Sequence, residues 1–407
     1  MSNSLLNILY NSRLKDFLVL LLFVYLPQIK LGSFIFNSLL IFISIAIIKS
    51  VYTSNFKFPK FFQYILGFQF IFLSFSNIIN GYIETTLWKE LIIFPLLYSS
   101  GYILINDILR IKGLNYLIRL LVYVLITNSL IIIFFSVFRD LNPLLHKIIH
   151  ITSKQSKYIY DMPFNLRHSG IAVSGFSYLS FKISCIFIII LYYASKKKNI
   201  NSSLFYFLSF TLLISQIFIA KTGLFLSGSA FLIYLYFNTI KALIFFGSGI
   251  LIIFFIFLYP FLSGEMNQIV GAVERSFDIF LSDEGSETVT ILQNQFDSTK
   301  TNNYILGDGD YGRVRGLITD IGFLSYLKGG GILGLIILTS HWIFLSISNL
   351  RQFKTNWIKQ CIVILALLHL FFNSKELVFY SHGYMQSIIL ILVIDDFTKN
   401  NDRYDLI

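Results

Sequence analysis

Apolar runs long enough to cross a lipid bilayer recur from one end of this chain to the other, and they leave little room for any other architecture. A helix needs about 20 mostly apolar residues to cross the hydrocarbon core. Stretches of that kind lie near 14–30, 34–50, 61–80, 90–106, 114–138, 171–194, 203–220, 224–240, 242–262, 328–348, 357–374 and 380–397. Composition agrees: of 407 residues, 56% are hydrophobic and 13% charged, whereas a water-soluble chain carries about 25% charged residues. The same figures exclude a disordered or collagen-like chain. Cys185 and Cys361 both fall inside apolar runs, so we expect two free, buried thiols and no disulfide scaffold. The expected fold is an all-α polytopic membrane protein of about twelve spans, a single integral membrane domain over 1–407.

The net charge of +11 in a soluble protein would suggest a nucleic-acid partner; here the distribution of Lys and Arg reports orientation instead. With the N-terminus in the cytoplasm, the inner segments carry Arg13, Lys15, Lys49, Lys57, Lys60, Arg110, Lys112, Lys196, Lys197, Lys198, Lys241, Arg351, Lys354, Lys359, Lys399 and Arg403. The short outer loops carry Lys30, Lys89, Lys221 and Lys375. That asymmetry satisfies the positive-inside rule, and an even number of spans returns the C-terminus to the cytoplasm. No small-residue cleavage pattern comes after the first apolar run, so it is expected to remain as a span.

Two outer loops are long, 139–169 and 263–316, and long loops in compact proteins tend to be functional. The first is mainly basic and holds His146, His150 and His168; the second is acidic through most of its length and turns basic at its end. Each closes on Arg-x-x-Gly before an apolar run: Arg167-His168-Ser169-Gly170 and Arg313-Val314-Arg315-Gly316. At the water–lipid boundary a guanidinium grips a phosphate through two parallel hydrogen bonds, and glycine lets backbone come close. The competing reading is that these arginines snorkel to headgroups.

Gly307-Asp308-Gly309-Asp310-Tyr311-Gly312 spells the dinucleotide fingerprint, but the strand, helix and parallel sheet which that motif requires are not expected in an outer loop. Its Asp-x-Asp spacing suits a divalent metal used with nucleotide sugars, which are cytoplasmic supplies, so no metal and no cofactor are expected. A tight turn presenting Arg313 and Arg315 to the membrane is the simpler account. Beyond it, 317–327 reads as a short outer-face helix carrying Asp320, a candidate base, and Gly329-Gly330-Gly331 would break a lipid-facing helix. Lys182 falls about eleven residues into its span, roughly 16 Å deep, where a buried charge is functional or paired. His341 and His369 read as packing residues, whereas Glu376 and His382, in the last outer loop, are candidate proton acceptors. Lys221 in the tight turn Lys221-Thr222-Gly223 adds a cation. Zinc spacing, a Walker loop and a serine elbow are absent, which argues against an ATP-driven pump or a metallopeptidase.

With these features in place, the chain resembles the O-antigen polymerase family of bacterial envelope polysaccharide synthesis, the Wzy type. The resemblance rests on the span count, the two unequal outer loops, Arg167-His168-Ser169-Gly170, Ala220-Lys221-Thr222-Gly223-Leu224, Gly307-Asp308-Gly309, Asp320-Ile321-Gly322-Phe323 and Gly330-Gly331-Ile332-Leu333-Gly334. It implies a metal-independent, GT-C-like glycosyltransferase of the inner membrane with two large periplasmic loops. Such an enzyme joins undecaprenyl-pyrophosphate-linked oligosaccharides, donor and acceptor alike, and a chain-length regulator is a candidate partner. On that reading Arg167, Arg313 and Arg315 bind pyrophosphate with Lys221 as helper, Asp320, Glu376 or His382 serves as base, and His168 and Lys182 are further candidates. The O-antigen ligase, which transfers the finished glycan to lipid A core, shares the two-loop plan. A flippase of lipid-linked oligosaccharide is the alternative from another class, although no internal repeat supports it.

Overall fold

The computed structural model describes residues 13–52, 58–81, 85–151, 156, 167–172, 176–196, 202–236, 303–309, 311, 322–353, 356–373, 379–380 and 385–400. The described chain is mostly helical, with twelve α-helices. Five of them, over Lys60–Asn80, Leu87–Lys112, Leu114–Val137, Phe176–Lys196 and Gly322–Leu350, are long and apolar enough to cross a membrane. The shortest has 21 residues, and at about 1.5 Å per residue that spans the roughly 30 Å hydrocarbon core. A multi-pass membrane protein is the architecture these helices support. The chain divides into two compact units, one of 1–49, 103–281 and 400–407, the other of 50–102 and 282–399.

The first unit begins with α1 (Arg13–Tyr25) and α2 (Ser38–Tyr52). Between them the expected pair of long spans gives way to a β-hairpin, β1 (Gln28–Leu31) against β2 (Phe34–Asn37), with Gln28 opposite Asn37 and Leu31 opposite Phe34. The cause is local. Pro27 has no N–H with which to continue α1, Gly32 takes the left-handed φ of +61° that the tight turn needs, and the Asn37 side chain accepts the Leu39 N–H to start α2. Over the described residues α1 has 13, fewer than a span requires.

The rest of this unit comprises the C-terminal end of α4 (Thr85–Lys112), then α5 (Leu114–Val137), α6 (Asn142–Ile148), α7 (Phe176–Lys196), α8 (Ser202–Ile219) and α9 (Lys221–Tyr236). The central helix is α7, buried along most of its length, and it packs on α9 and α8. Here Ser180 Oγ donates to Gln216 Oε1 at 2.7 Å. A Cβ on Gly223 would overlap both of those atoms, so this glycine sets how closely α9 approaches. Lys112 pairs with Asp16 at 2.6 Å.

The second unit holds α3 (Lys60–Asn80), most of α4, α10 (Gly322–Leu350), α11 (Trp357–Phe372) and α12 (Met385–Asn400). Along α3 the side chains of Tyr64, Phe68, Ile71, Phe75 and Ile78 are exposed. So much apolar surface on one helix fits lipid and not water. Inside this unit Phe94 stacks on Tyr380 at 4.4 Å, and Tyr380 on His341 at 4.4 Å. Lys359 and Asp395 form an ion pair of 2.8 Å, each side chain 7% exposed, and Lys399 reaches the same carboxylate oxygen at 2.7 Å. Cys185 and Cys361 are free and buried.

Candidate functional site

Unit by unit, two places draw the sequence-predicted residues together. In the first unit the end of the long segment, 167–172, is fastened by hydrogen bonds from four N–H groups. His168 donates to the Phe218 carbonyl at 2.8 Å, and Ala172 to Ser169 at 3.2 Å. Gly170 donates to His168 Nδ1 at 2.9 Å, and Ile171 to Asn128 Oδ1 at 2.9 Å. Gly170 has a φ of +61°, and a Cβ on it would run into Asn128 Oδ1. The close approach expected of a glycine here is thus made to a protein side chain.

The same bonds fix the chemistry of His168. Since Nδ1 accepts from Gly170, Nε2 carries the proton and donates to Asn142 Oδ1 at 3.0 Å. Burial, and secondarily the neighbouring His146, push its pKa down to about 3. A general base needs a free lone pair, and His168 has committed the one it had. Its role is to hold the turn on which Arg167 stands. The Arg167 guanidinium carbon lies 5.9 Å from the Phe176 ring centroid, over the first residue of α7. Lys221 is the first residue of α9, three residues after the Phe218 whose carbonyl binds His168, so the turns at 167–172 and 220–223 are brought together. Lys182 is 1% exposed. Lys182 stands six residues after Phe176, the first residue of α7.

In the second unit the glycine-rich stretches meet each other. The helix expected over 317–327 is described from Gly322 and runs on through Lys328; the break falls at Gly331, with φ 63° and ψ −164°. In an unbroken helix the N–H groups of Ile332 and Leu333 would bond the Lys328 and Gly329 carbonyls. Instead Asp308 N–H takes the Lys328 carbonyl at 2.7 Å and Gly309 N–H takes Gly329 at 2.9 Å. The freed N–H groups of Ile332 and Leu333 turn to the carbonyls of Tyr304 at 2.8 Å and Ile305 at 3.3 Å. The 304–309 segment is thereby spliced into the helix, and four bonds replace two.

Glycine is required on both sides of that splice. Gly307 and Gly309 have φ of +72° and +73°. A Cβ on Gly307 would lie 2.5 Å from the Gly329 backbone, and one on Gly331 would overlap the Ile305 carbonyl. Gly329 faces the Tyr311 ring with no space for a side chain. Within the fingerprint, the N–H groups of Gly307, Asp308 and Gly309 are spent on the carbonyls of Asn303, Lys328 and Gly329, so these three do not cradle a phosphate. Among the described residues no three His, Cys, Asp or Glu side chains gather as a metal set.

Arg313, Arg315, Asp320, Glu376 and His382 lie outside the described residues. Of the residues that sequence reasoning passed over, Asn128 and Asn142 in the first unit and Gln69 in the second do the most. Gln69 Nε2 lies 3.3 Å from His341 Nδ1, inside a stack in which Trp342 is 4.3 Å from His341 and 4.6 Å from His369. The signal that could have found them was an amide inside an apolar run, at Asn128 and at Gln69. Comparison with protein-family models, with curated proteins and with solved structures found no match, so residues and geometry carry the reading.

Proposed function

We propose that the chain is an O-antigen polymerase of the bacterial inner membrane, with about twelve spans in a GT-C-like arrangement and both termini cytoplasmic. It joins undecaprenyl-pyrophosphate-linked repeat units on the periplasmic side. The acceptor hydroxyl attacks the anomeric carbon of the growing glycan, a glycosidic C–O bond forms, and the bond from that carbon to the pyrophosphate oxygen breaks. Undecaprenyl pyrophosphate leaves, and a base takes the hydroxyl proton. Pyrophosphate is already a good leaving group, so the chief requirement is preorganised positive charge.

The observation that most supports this reading is Arg167 standing directly before a turn whose N–H groups and histidine ring are committed to the helices beneath. A guanidinium on such a base loses little freedom when it grips a phosphate. Arg313 and Arg315 come two and four residues after Tyr311 in sequence and are assigned the second grip, with Lys221 as helper. Asp320, Glu376 and His382 remain the candidate bases, whereas His168 becomes a positioning residue.

The test is the lipopolysaccharide banding of a deletion strain complemented with each variant. Loss of the gene is expected to leave lipid A core carrying a single repeat unit. Core with none attached would indicate a ligase, and repeat units trapped on the inner leaflet a flippase. Arg167→Ala at matched protein level is expected to leave the single-unit band, and Arg167→Lys to restore little, because a point charge lacks the fork.

A further inference from the structure

Beneath the 167–172 turn the first unit buries a positive charge among hydrogen-bond donors. Lys182 is 1% exposed and forms no ion pair among the described residues. Its Nζ stands 5.8 Å from the Tyr25 ring centroid. The face of an aromatic ring attracts a cation, which offsets only part of what burial costs the ammonium. Tyr25, at the end of α1, is also fully buried, and its hydroxyl makes no hydrogen bond of ordinary length among the described residues.

The third member is Asn128. Its Oδ1 is taken by the Ile171 N–H, which turns Nδ2 inward. The Asn128 side chain is close enough to the Tyr25 hydroxyl to act on it as a long hydrogen-bond donor, and neither Nδ2 nor that hydroxyl has a closer partner among the described residues. Three side chains from α1, α5 and α7 thus share the Tyr25 position, and each can donate. A buried charge with no counter-charge among the described residues, beside donors that outnumber the acceptors there, is costly. The complement of these three donors is an acceptor carrying one negative charge.

We propose that Lys182, Tyr25 and Asn128 form a binding site for a compact monovalent anion, chloride being the one generally available. A single ammonium neutralises one negative charge. A pyrophosphate would bring uncompensated charge into the helix bundle, so the site differs from the proposed substrate grip. Through Asn128 the anion also braces Ile171, and with it the turn that carries Arg167. The site does not depend on the polymerase reading.

The purified full-length protein in detergent should melt about 3 °C higher in saturating sodium chloride than in sodium gluconate of equal ionic strength. Lys182→Met should melt at least as high as wild type in gluconate, since an uncompensated charge is gone, and should show no chloride-dependent rise. Tyr25→Phe removes only the hydroxyl, and the rise should shrink. Equal melting of wild type in the two salts overturns the proposal, as does an undiminished chloride rise in Lys182→Met. Should Lys182→Met fail to fold, Tyr25→Phe decides: an undiminished rise there overturns the proposal equally.

Discussion

The 167–172 turn of the first unit and the 304–309 segment of the second face one physical problem, that of bringing polar backbone into a helical bundle without stranding its N–H and C=O groups. The first solves it half with side chains, two of its four N–H groups going to the His168 ring and to Asn128. Asn128, Asn142 and the ring of His168 supply acceptors and a donor, and each is an ordinary residue whose amide or imidazole happens to sit at the right height. The second joins segment to helix through backbone, exchanging two helical bonds for four across a glycine-lined splice, while the Asn303 side chain accepts from the Ile305 and Leu306 N–H groups within the segment. A fastening made of side chains can be weakened one bond at a time. One made of backbone tolerates no Cβ, so it holds entirely or fails entirely.

That contrast breaks most readily in the second unit. Gly307→Ala or Gly331→Ala sets a Cβ against backbone that cannot give way and also forces a left-handed φ. We expect a loss on the order of 4 kcal/mol or more, seen as absence of a monodisperse peak in size-exclusion chromatography. In the first unit, Asn128→Ala removes the acceptor of one buried N–H and should cost about 1–3 kcal/mol, read as a lower melting temperature of a protein that still folds. If the two substitutions proved equally damaging, the distinction between the two fastenings would be lost.

The smallest effect is expected from His168, and it carries a pH signature. The unfolded imidazole takes a proton near pH 6.5, whereas the folded one stays neutral until about 3. Between those values the unfolded state binds the extra proton, so stability falls as pH falls. The His168 contribution is complete above pH 6.5 and is lost progressively toward 3. His168→Gln should cost about 1 kcal/mol at neutral pH and flatten the decline of melting temperature through that window. An unchanged slope would mean that His168 is protonated in the folded protein.

How much of this was readable from the sequence depends on the kind of bond. Helix placement tracks hydropathy, so helices occur at 60–80, 114–137 and 357–372 much as the apolar runs indicate. Their ends obey local exceptions: Pro27 and the alternation through Gln28–Leu31 turned the end of the span expected over 14–30 into the first strand of a hairpin. Gly329-Gly330-Gly331 announced a break because three glycines cannot sustain a lipid-facing helix. The segment that repairs it could not be read, since backbone-to-backbone pairing leaves no side-chain pattern beyond glycine itself. Asn128 was visible as an amide in an apolar run; its partner, the Ile171 N–H, carries no sequence mark at all.

We propose that a guanidinium on the fixed turn at Arg167 binds the pyrophosphate of a lipid-linked glycan. Reconstituting the purified protein in lipid nanodiscs with undecaprenyl-pyrophosphate-linked repeat units, and resolving the product by gel, tests it most directly. Wild type should build a ladder of lengths, Arg167→Ala none, and Arg167→Lys only a trace. Ladders of normal length and yield from Arg167→Ala would contradict the claim.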